Sequence, residues 1–114
     1  MNYLLLVYVN QQTLAGLSAS ERQHRTEAGH LTDDLLRASG RLLAGAQLPT
    51  VTGVTTVAFQ GTQLTLTAGS LGEGALQLSA FYYISAGDLN DAIQVAAQLP
   101  ELHNGAIEVH PLSS

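Results

Sequence analysis

The sequence has 114 residues, of which 46% are hydrophobic and only 11% are charged, and it contains no cysteine. This length fits a single domain over residues 1–114, and the lack of cysteine excludes disulfides, thiolate metal sites and a cysteine nucleophile. Nine acidic residues and four arginines give a net charge of −5, which argues against nucleic acid and anionic membranes as partners because both attract basic surfaces.

The first predicted element is a strand over residues 3–9, with the sequence YLLLVYV. Its alternating positions are apolar on both sides, which is typical of a strand that is covered on both faces. The segment MNYLLLVYVN has no positive region and only about seven apolar residues in a row, so it resembles neither a signal peptide nor a membrane span. The cytoplasm is therefore the expected location.

A loop at residues 10–16 precedes a predicted helix over residues 17–40. Ser18 and Glu21 have the spacing of a capping box, and Gly40 suits a left-handed C-cap. An apolar stripe with helical spacing, typical of a face that packs on a core, runs along this helix. It consists of Ala28, Leu31, Leu35 and the adjacent Leu36, with His24 one turn earlier.

The remaining pattern predicts a strand over residues 41–48, two strands over 54–60 and 63–68, a strand over 76–85, a helix over 88–100 and a final strand over 105–112. Gly61 and Thr62 separate two β-branched runs and indicate a hairpin. Asp88 is a good N-cap for the second helix, and Pro100 marks its end. Its apolar stripe consists of Leu89, Ala92, Ile93 and Ala96.

The resulting order is β-α-β-β-β-β-α-β, which predicts an α+β fold with two helices on one face of an antiparallel sheet. Two helices cover only one face, yet residues 3–9 and 81–84 are apolar on both. A second copy of the same sheet would cover the other face, so we expect a homodimer.

Four segments resemble those of the YCII-related family, and within it the branch that is named for a DGPF motif. They are YLLLVY, SGRLLAGAQLP, LQLSAFYYISAGDLNDAIQVAAQLP and GAIEVHPL. The resemblance covers nearly the whole chain and implies a ferredoxin-like α+β domain that pairs into a dimeric α/β barrel. The DGPF motif aligns with Ala68-Gly69-Ser70-Leu71, where only the glycine is kept.

Other YCII-related proteins carry a His–Asp pair that is proposed to be catalytic. By the resemblance, the histidine position falls on Gly29, with His30 one step away, and the aspartate position falls on Leu99. The pair is therefore incomplete here. Family members are also often encoded near alternative sigma factors, which implies a regulatory setting.

Two histidines on the first helix are candidate catalytic residues. His24 either packs as a partly buried histidine or faces the dimer cleft as a proton-transfer group, for which a pKa of about 6.5 is useful. His30 shares one helix face with Glu27 and Asp34, at spacings of three and four residues. This face is either a solvated polar surface or part of a site, and it lacks a third metal ligand, so we expect no metal.

The glycine-rich loop at residues 69–74 is the other candidate region. Its backbone N–H groups could bind an anion through Gly69 and Ser70, or the loop could be a simple connector. It lacks the spacing of a nucleotide-binding motif, so no cofactor is expected. Glu73 is a solitary acid in a long neutral stretch and is a candidate acid or base. Tyr82 and Tyr83 point to opposite faces of their strand. Each either packs in the core or is a candidate ligand contact.

Two main hypotheses follow from these observations. The first is a homodimeric module that binds a small molecule or serves an accessory or regulatory role, without an intact catalytic pair. The second is an enzyme that acts on a small aromatic or lactone-type substrate with a histidine base in the dimer cleft. A third and weaker hypothesis is a regulator that acts through protein contacts.

Overall fold

The computed structural model of the protein describes residues 1–48, 53–69, 74 and 76–113. The six strands are β1 (Asn2–Asn10), β2 (Leu42–Gln47), β3 (Thr55–Gln60), β4 (Gln63–Ala68), β5 (Leu76–Ser85) and β6 (Gly105–Leu112). The helices are α1 (Gln11–Ala15), α2 (Ala19–Ala38) and α3 (Leu89–Ala97), and a 3-10 turn covers Pro100–Asn104.

Four strands form an antiparallel sheet in the order β2-β5-β1-β6. Each neighbouring pair in this sheet is distant in sequence. Helix α2 lies between the central strand β1 and the edge strand β2 along the chain, and α3 lies between the central strand β5 and the edge strand β6. The chain therefore has a mixed α+β fold of the ferredoxin-like type. Helix α1 lies where a loop is predicted from sequence, because the Asn10 side chain accepts hydrogen bonds from the amides of Gln12 and Thr13 and caps it.

The hydrophobic core lies between one face of this sheet and the two long helices. The odd-numbered residues of β1 and the even-numbered residues of β5 from Ala80 onward alternate into it. Leu5, Val7 and Ile84 are fully buried. Leu36 of α2 and Val95 of α3 cover them. The opposite face of the sheet carries the alternate residues of both strands, and within this chain these are only half-buried.

Strands β3 and β4 form the predicted hairpin around Gly61, whose φ of 66° suits the turn. Among the residues that the structure describes, they pair only with each other and form a separate two-stranded sheet. Val57 and Leu66 face each other across the hairpin, as do Phe59 and Leu64. All four of these side chains are exposed, and Phe59 is 74% exposed.

The capping box of α2 is confirmed: Ser18 Oγ accepts from the Glu21 amide, and the Glu21 carboxylate accepts from the Ser18 amide. The predicted inward face of α2 is wrong except at Leu36, which is buried. Ala28, Leu31 and Leu35 are exposed, and so is His24, so the alternative in which His24 packs partly buried within the chain is not observed. In α3, Ala92 and Ala96 are buried as predicted, but Leu89 and Ile93 are exposed.

The 3-10 turn is held at both ends by tertiary packing. Leu99 precedes it and is 1% exposed in the core. Gly105 follows it at a close approach to β1, where a Cβ would overlap the carbonyl oxygen of Tyr8. Pro100 occupies the first turn, where its missing N–H costs nothing.

Candidate functional site

The face of α2 that is turned toward the sheet is polar in its central turns. Arg25, Gly29 and Asp33 recur every four residues and are only partly exposed, and Leu36 continues the same face into the core. Because polar and small residues do not fill the space above the sheet, a cavity of about 290 Å³ lies under this part of the helix. We call it the α2 cavity. Its other walls come from Leu14, Gln47, Leu48, Ser79 and Glu101, and Thr26 and His30 complete it.

Glu101 is the buried acid of the α2 cavity. It lies on the 3-10 turn and is 6% exposed, although an acidic side chain in a short turn normally projects into water. Its Oε1 accepts a hydrogen bond from the Tyr82 hydroxyl across 3.3 Å. Its Oε2 has no hydrogen-bond partner among the residues that the structure describes. One carboxylate oxygen is thus buried without a protein donor.

Tyr82 connects Glu101 to strand β2. Its ring packs in the core, its hydroxyl donates to Glu101, and the hydroxyl oxygen accepts from Gln47 Nε2 across 2.9 Å. Burial raises the pKa of Tyr82 far above its usual value, and the negative charges of Glu101 and Asp33 raise it further. Tyr82 is therefore a neutral hydrogen-bond donor, and the electrostatic potential at its hydroxyl is negative.

Asp33 is the second acid of the α2 cavity. Burial raises its pKa, and the positive charges of Arg37 and His30 act in the opposite direction without cancelling that effect. A smaller cavity of about 170 Å³ adjoins the first, and Asp33, Gln47 and Tyr82 line it. Tyr82 thus has one acid, Glu101, as a hydrogen-bond partner and shares the lining of the smaller cavity with the other, Asp33.

Two basic side chains, Arg25 and His30, lie at the rim of the α2 cavity. Arg25 donates from Nη1 to Asn104 Oδ1 across 2.6 Å and so joins α2 to the 3-10 turn. His30 is exposed at the same rim, and among the described residues it makes no hydrogen bond to an acid. A Cβ on Gly29 would meet no atom within 4 Å, so this position keeps the cavity wide.

Of the residues that the sequence singles out, His30 lines the α2 cavity and Tyr82 lines the smaller cavity beside it. His24 is exposed on α2 and does not line it. Tyr83 lies on the other face of the sheet, as the alternation predicts, and its hydroxyl accepts from Asn2 Nδ2 across 2.7 Å. Ser70 and Glu73 lie outside the described residues.

Gly69 ends the hairpin and lies apart from the residues that line the α2 cavity. Its amide donates to the carbonyl of Val54, and its own carbonyl accepts from the Thr56 hydroxyl across 2.6 Å. Both of these backbone groups are therefore used in closing the open end of the hairpin. Its amide is not free to bind an anion in this conformation.

Sequence reasoning missed Asp33, Gln47 and Glu101. The sequence contains a signal for Asp33. Arg25, Gly29 and Asp33 are spaced by four residues, and the helix face that they form continues to the buried Leu36. Gln47 is the register partner of the buried Ala80 of β5, so it lies on the core side of β2. No local pattern marks Glu101, because its burial depends on how the 3-10 turn packs against β1, β6 and α2.

A second polar group lies on the uncovered face of the sheet. The Tyr8 hydroxyl and His110 Nε2 both contact the carboxylate of Glu108, the latter at 3.3 Å. The hydrogen bond from His110, and to a lesser extent that from Tyr8, lowers the pKa of Glu108. The hydrogen bond between Tyr8 and Glu108 raises the pKa of Tyr8. No group of three or more metal-ligating side chains occurs among the residues that the structure describes.

The family of the chain is identified by comparison with models of known protein families. The family model described as the YCII-related domain matches residues 1–114. The chain belongs to the YCII-related family. No curated protein matches this YCII-related chain. Within the part of the chain that the structure describes, no helix is long and apolar enough to cross a membrane.

The two positions that the resemblance gives for the catalytic pair of other YCII-related proteins differ in this structure. Gly29 lines the α2 cavity, whereas Leu99 is buried in the core. Neither residue can transfer a proton. The acids that this YCII-related protein places at the cavity are Asp33, one turn after Gly29, and Glu101, two residues after Leu99.

Proposed function

We propose that this YCII-related protein is a homodimeric module that binds a small molecule in the α2 cavity. The observation that carries the proposal is the buried Glu101 Oε2, which has no donor among the described residues and lines the cavity. Leaving a buried charged acceptor unpaired costs on the order of 1–3 kcal/mol or more. A ligand that supplies the donor removes this cost and is favoured for that reason.

The size and chemistry of the α2 cavity support the same proposal. Its volume of about 290 Å³ is at the lower end of the range for ligand pockets, so the ligand is small. Apolar walls such as Leu14 and Leu48 accompany the convergent polar groups of Glu101 and Asp33. Groups with shifted pKa values, here Tyr82 and Asp33, also tend to cluster at functional sites.

A screen of small organic fragments by saturation-transfer difference NMR tests this function. We expect fragments to bind the wild-type protein and to lose binding in Gly29→Leu, because the new side chain extends into the cavity. Leucine also favours the helix over glycine, so this variant should remain folded, which a thermal melt verifies. Ala28→Leu is the matched control, because Ala28 is the exposed neighbour and does not line the cavity.

Two results would contradict the proposed binding function. One is the absence of any fragment bound to the wild-type protein. The other is a set of bound fragments that Gly29→Leu and Ala28→Leu leave equally unaffected, since these would occupy some other part of the surface.

The proposed homodimer is supported by the uncovered face of the sheet. Leu4 and Leu6 of β1 and Phe81 and Tyr83 of β5 lie directly opposite one another in the register, and all four are half-buried. A contiguous apolar face of this kind, flanked by the polar contact between Glu108 and His110, is typical of a surface that binds another protein. A second copy of the same sheet offers a matching surface around a two-fold axis.

We also infer membership of the DGPF branch within the family. The support is the resemblance of the strand-helix-proline segment at residues 76–100 and of the final strand. The motif itself is reduced to Gly69. We further propose that the protein has a regulatory or accessory role in the cell.

The second candidate function is an enzyme that acts on a small aromatic or lactone-type substrate. One observation favours it: His30 lies at the rim of the same cavity as Asp33 and Glu101, so a base and two acids could meet one substrate. The fragment screen also detects enzymatic activity, because conversion of a fragment gives new product resonances in the NMR spectrum. These should disappear with His30→Ala and persist with His24→Ala.

A further inference from the structure

We propose that the ligand of the α2 cavity carries an ammonium group that binds to Glu101 Oε2. This inference rests on the proposed binding function and specifies the chemical class of the ligand. The first step is the chemistry of the free oxygen. A carboxylate oxygen only accepts hydrogen bonds, so its ligand must present an N–H or O–H donor, and charged N–H donors form the strongest such bonds.

The hydrogen-bond chain on the other side of the carboxylate is already complete. Gln47 donates to Tyr82, and Tyr82 donates to Glu101 Oε1. Every donor in this chain points toward Glu101, so the tyrosine cannot also turn to serve Oε2. The free oxygen therefore depends on a group that enters from the cavity.

In the part of the chain that the structure describes, Glu101 forms no ion pair with a cationic side chain. The ion pairs among the described residues join Arg41 to Asp91 and His110 to Glu108, and neither involves the cavity. Arg25 is the cationic side chain at the rim, and its Nη1 is held by Asn104. A buried carboxylate without a cation within 4 Å favours a ligand that brings one.

Asp33 adds a second negative charge to the same region. The pKa of Tyr82 is raised by the charges of both Glu101 and Asp33, after burial, so both carboxylates act on one point beside the cavity. The potential that disfavours a phenolate there stabilises a cation. His30 and Arg25 at the rim are compatible with a second, acidic group on the outer end of the ligand.

Three probes of similar size separate the possible classes: benzylamine, benzyl alcohol and benzoate. Each is titrated into the full chain and followed by amide chemical shifts in ¹⁵N-labelled protein. We expect benzylamine to bind at least about tenfold more tightly than benzyl alcohol, because charge-assisted hydrogen bonds are stronger than neutral ones. Benzoate should bind most weakly. Glu101→Gln should remove most of the preference for the amine. Glu27→Gln, which changes an exposed acid of α2 that does not line the cavity, should leave it unchanged.

The outcomes distinguish the two proposals. If the alcohol or benzoate binds in the cavity as tightly as the amine, the ammonium class is wrong and the binding function stands. If no probe binds and the fragment screen also fails, both are wrong. The ranking of the three probes on the wild-type protein decides the ligand class even if Glu101→Gln does not fold.

Discussion

Asp33 shows how a single residue can lower stability at the place where a cavity forms. Its carboxyl group is partly buried on the inward face of α2, and the loss of hydration raises its pKa despite Arg37 and His30. The native state therefore holds the proton more tightly than the unfolded chain does. As the pH rises through the window between the unfolded pKa, about 3.9, and the higher native pKa, the free energy of unfolding falls.

Asp33→Asn should therefore raise the free energy of unfolding at pH 7. The gain should shrink as the pH is lowered through the native pKa of Asp33 and vanish below the unfolded value, where the wild-type carboxyl is itself neutral. Urea denaturation at pH 7 and pH 4 measures it. Asp34→Asn is the control, because Asp34 is the exposed neighbour. A gain that is equal for both variants, or independent of pH, would refute the burial effect.

The burial and orientation of a single residue can be predicted from sequence where a local rule determines them, and cannot where tertiary packing determines them. The two-residue period of a strand places Tyr82 and Tyr83 on opposite faces, and the structure confirms this. The burial of Glu101 has no such local rule. An acid after Leu99-Pro100 looks like a solvated turn residue until the packing of that turn is known.

Helix α2 has correctly predicted ends and a wrongly predicted face. Its start follows from local chemistry, since Ser18 and Glu21 satisfy the first amides. Its orientation does not, because the apolar stripe through Leu31 and Leu35 faces solvent and Asp33 faces the sheet. The rule that the apolar face packs inward holds when packing is the only demand on the helix. In α2 the inward positions also line a polar cavity, so polar residues occupy positions that the rule assigns to apolar ones.

The contribution of the α2 cap can be measured directly. Ser18→Ala should lower the free energy of unfolding by about 1 kcal/mol, because the Glu21 amide loses its acceptor and the reciprocal bond is weakened. Ser20→Ala is the matched control two residues later on the exposed side and should change it little. Equal effects of both substitutions in chemical denaturation would contradict the role of the capping box.

The β3–β4 hairpin was predicted as a hairpin but not as a separate sheet. Its alternation of apolar and polar residues is typical of strands with one packed face, and nothing in that pattern tells which surface it packs on. In the structure the apolar face of Val57, Phe59, Leu64 and Leu66 is exposed. An isolated two-stranded ribbon is only marginally stable, so its pairing depends on the rest of the molecule.

At the scale of the whole molecule, the α+β class and the placement of two long helices on one face followed from the order and pattern of the elements. The detached hairpin and the helix α1 did not. Both depend on information that strand and helix periods do not contain, namely which strands pair and whether Asn10 caps the following turn. The uncovered apolar face of the four-stranded sheet remains the basis for the predicted dimer.

The dimer prediction is tested by light scattering coupled to size-exclusion chromatography. The wild-type protein should have twice the chain mass of 12.0 kDa at micromolar concentration. Leu6→Asp should give the monomer mass, because Leu6 lies between Phe81 and Glu108 on the uncovered face and a carboxylate there is desolvated on association.

Leu66→Asp is the control for this experiment, since Leu66 is 67% exposed on the hairpin and lies outside the main sheet. It should keep the dimer mass. A wild-type protein that is monomeric under these conditions, or a Leu66→Asp variant that dissociates while Leu6→Asp does not, would show that the sheet face is not the interface.

The segment between Leu99 and Gly105 has a consequence for the thermodynamics of binding. Its two ends are immobilised, one by a side chain in the core and the other by backbone contact with Tyr8. The carboxylate of Glu101 is thus preorganised before any ligand arrives, and little conformational entropy of this segment remains to be lost on association. A small ligand with few contacts can therefore bind measurably, and substitutions at position 105 should weaken binding without touching the ligand.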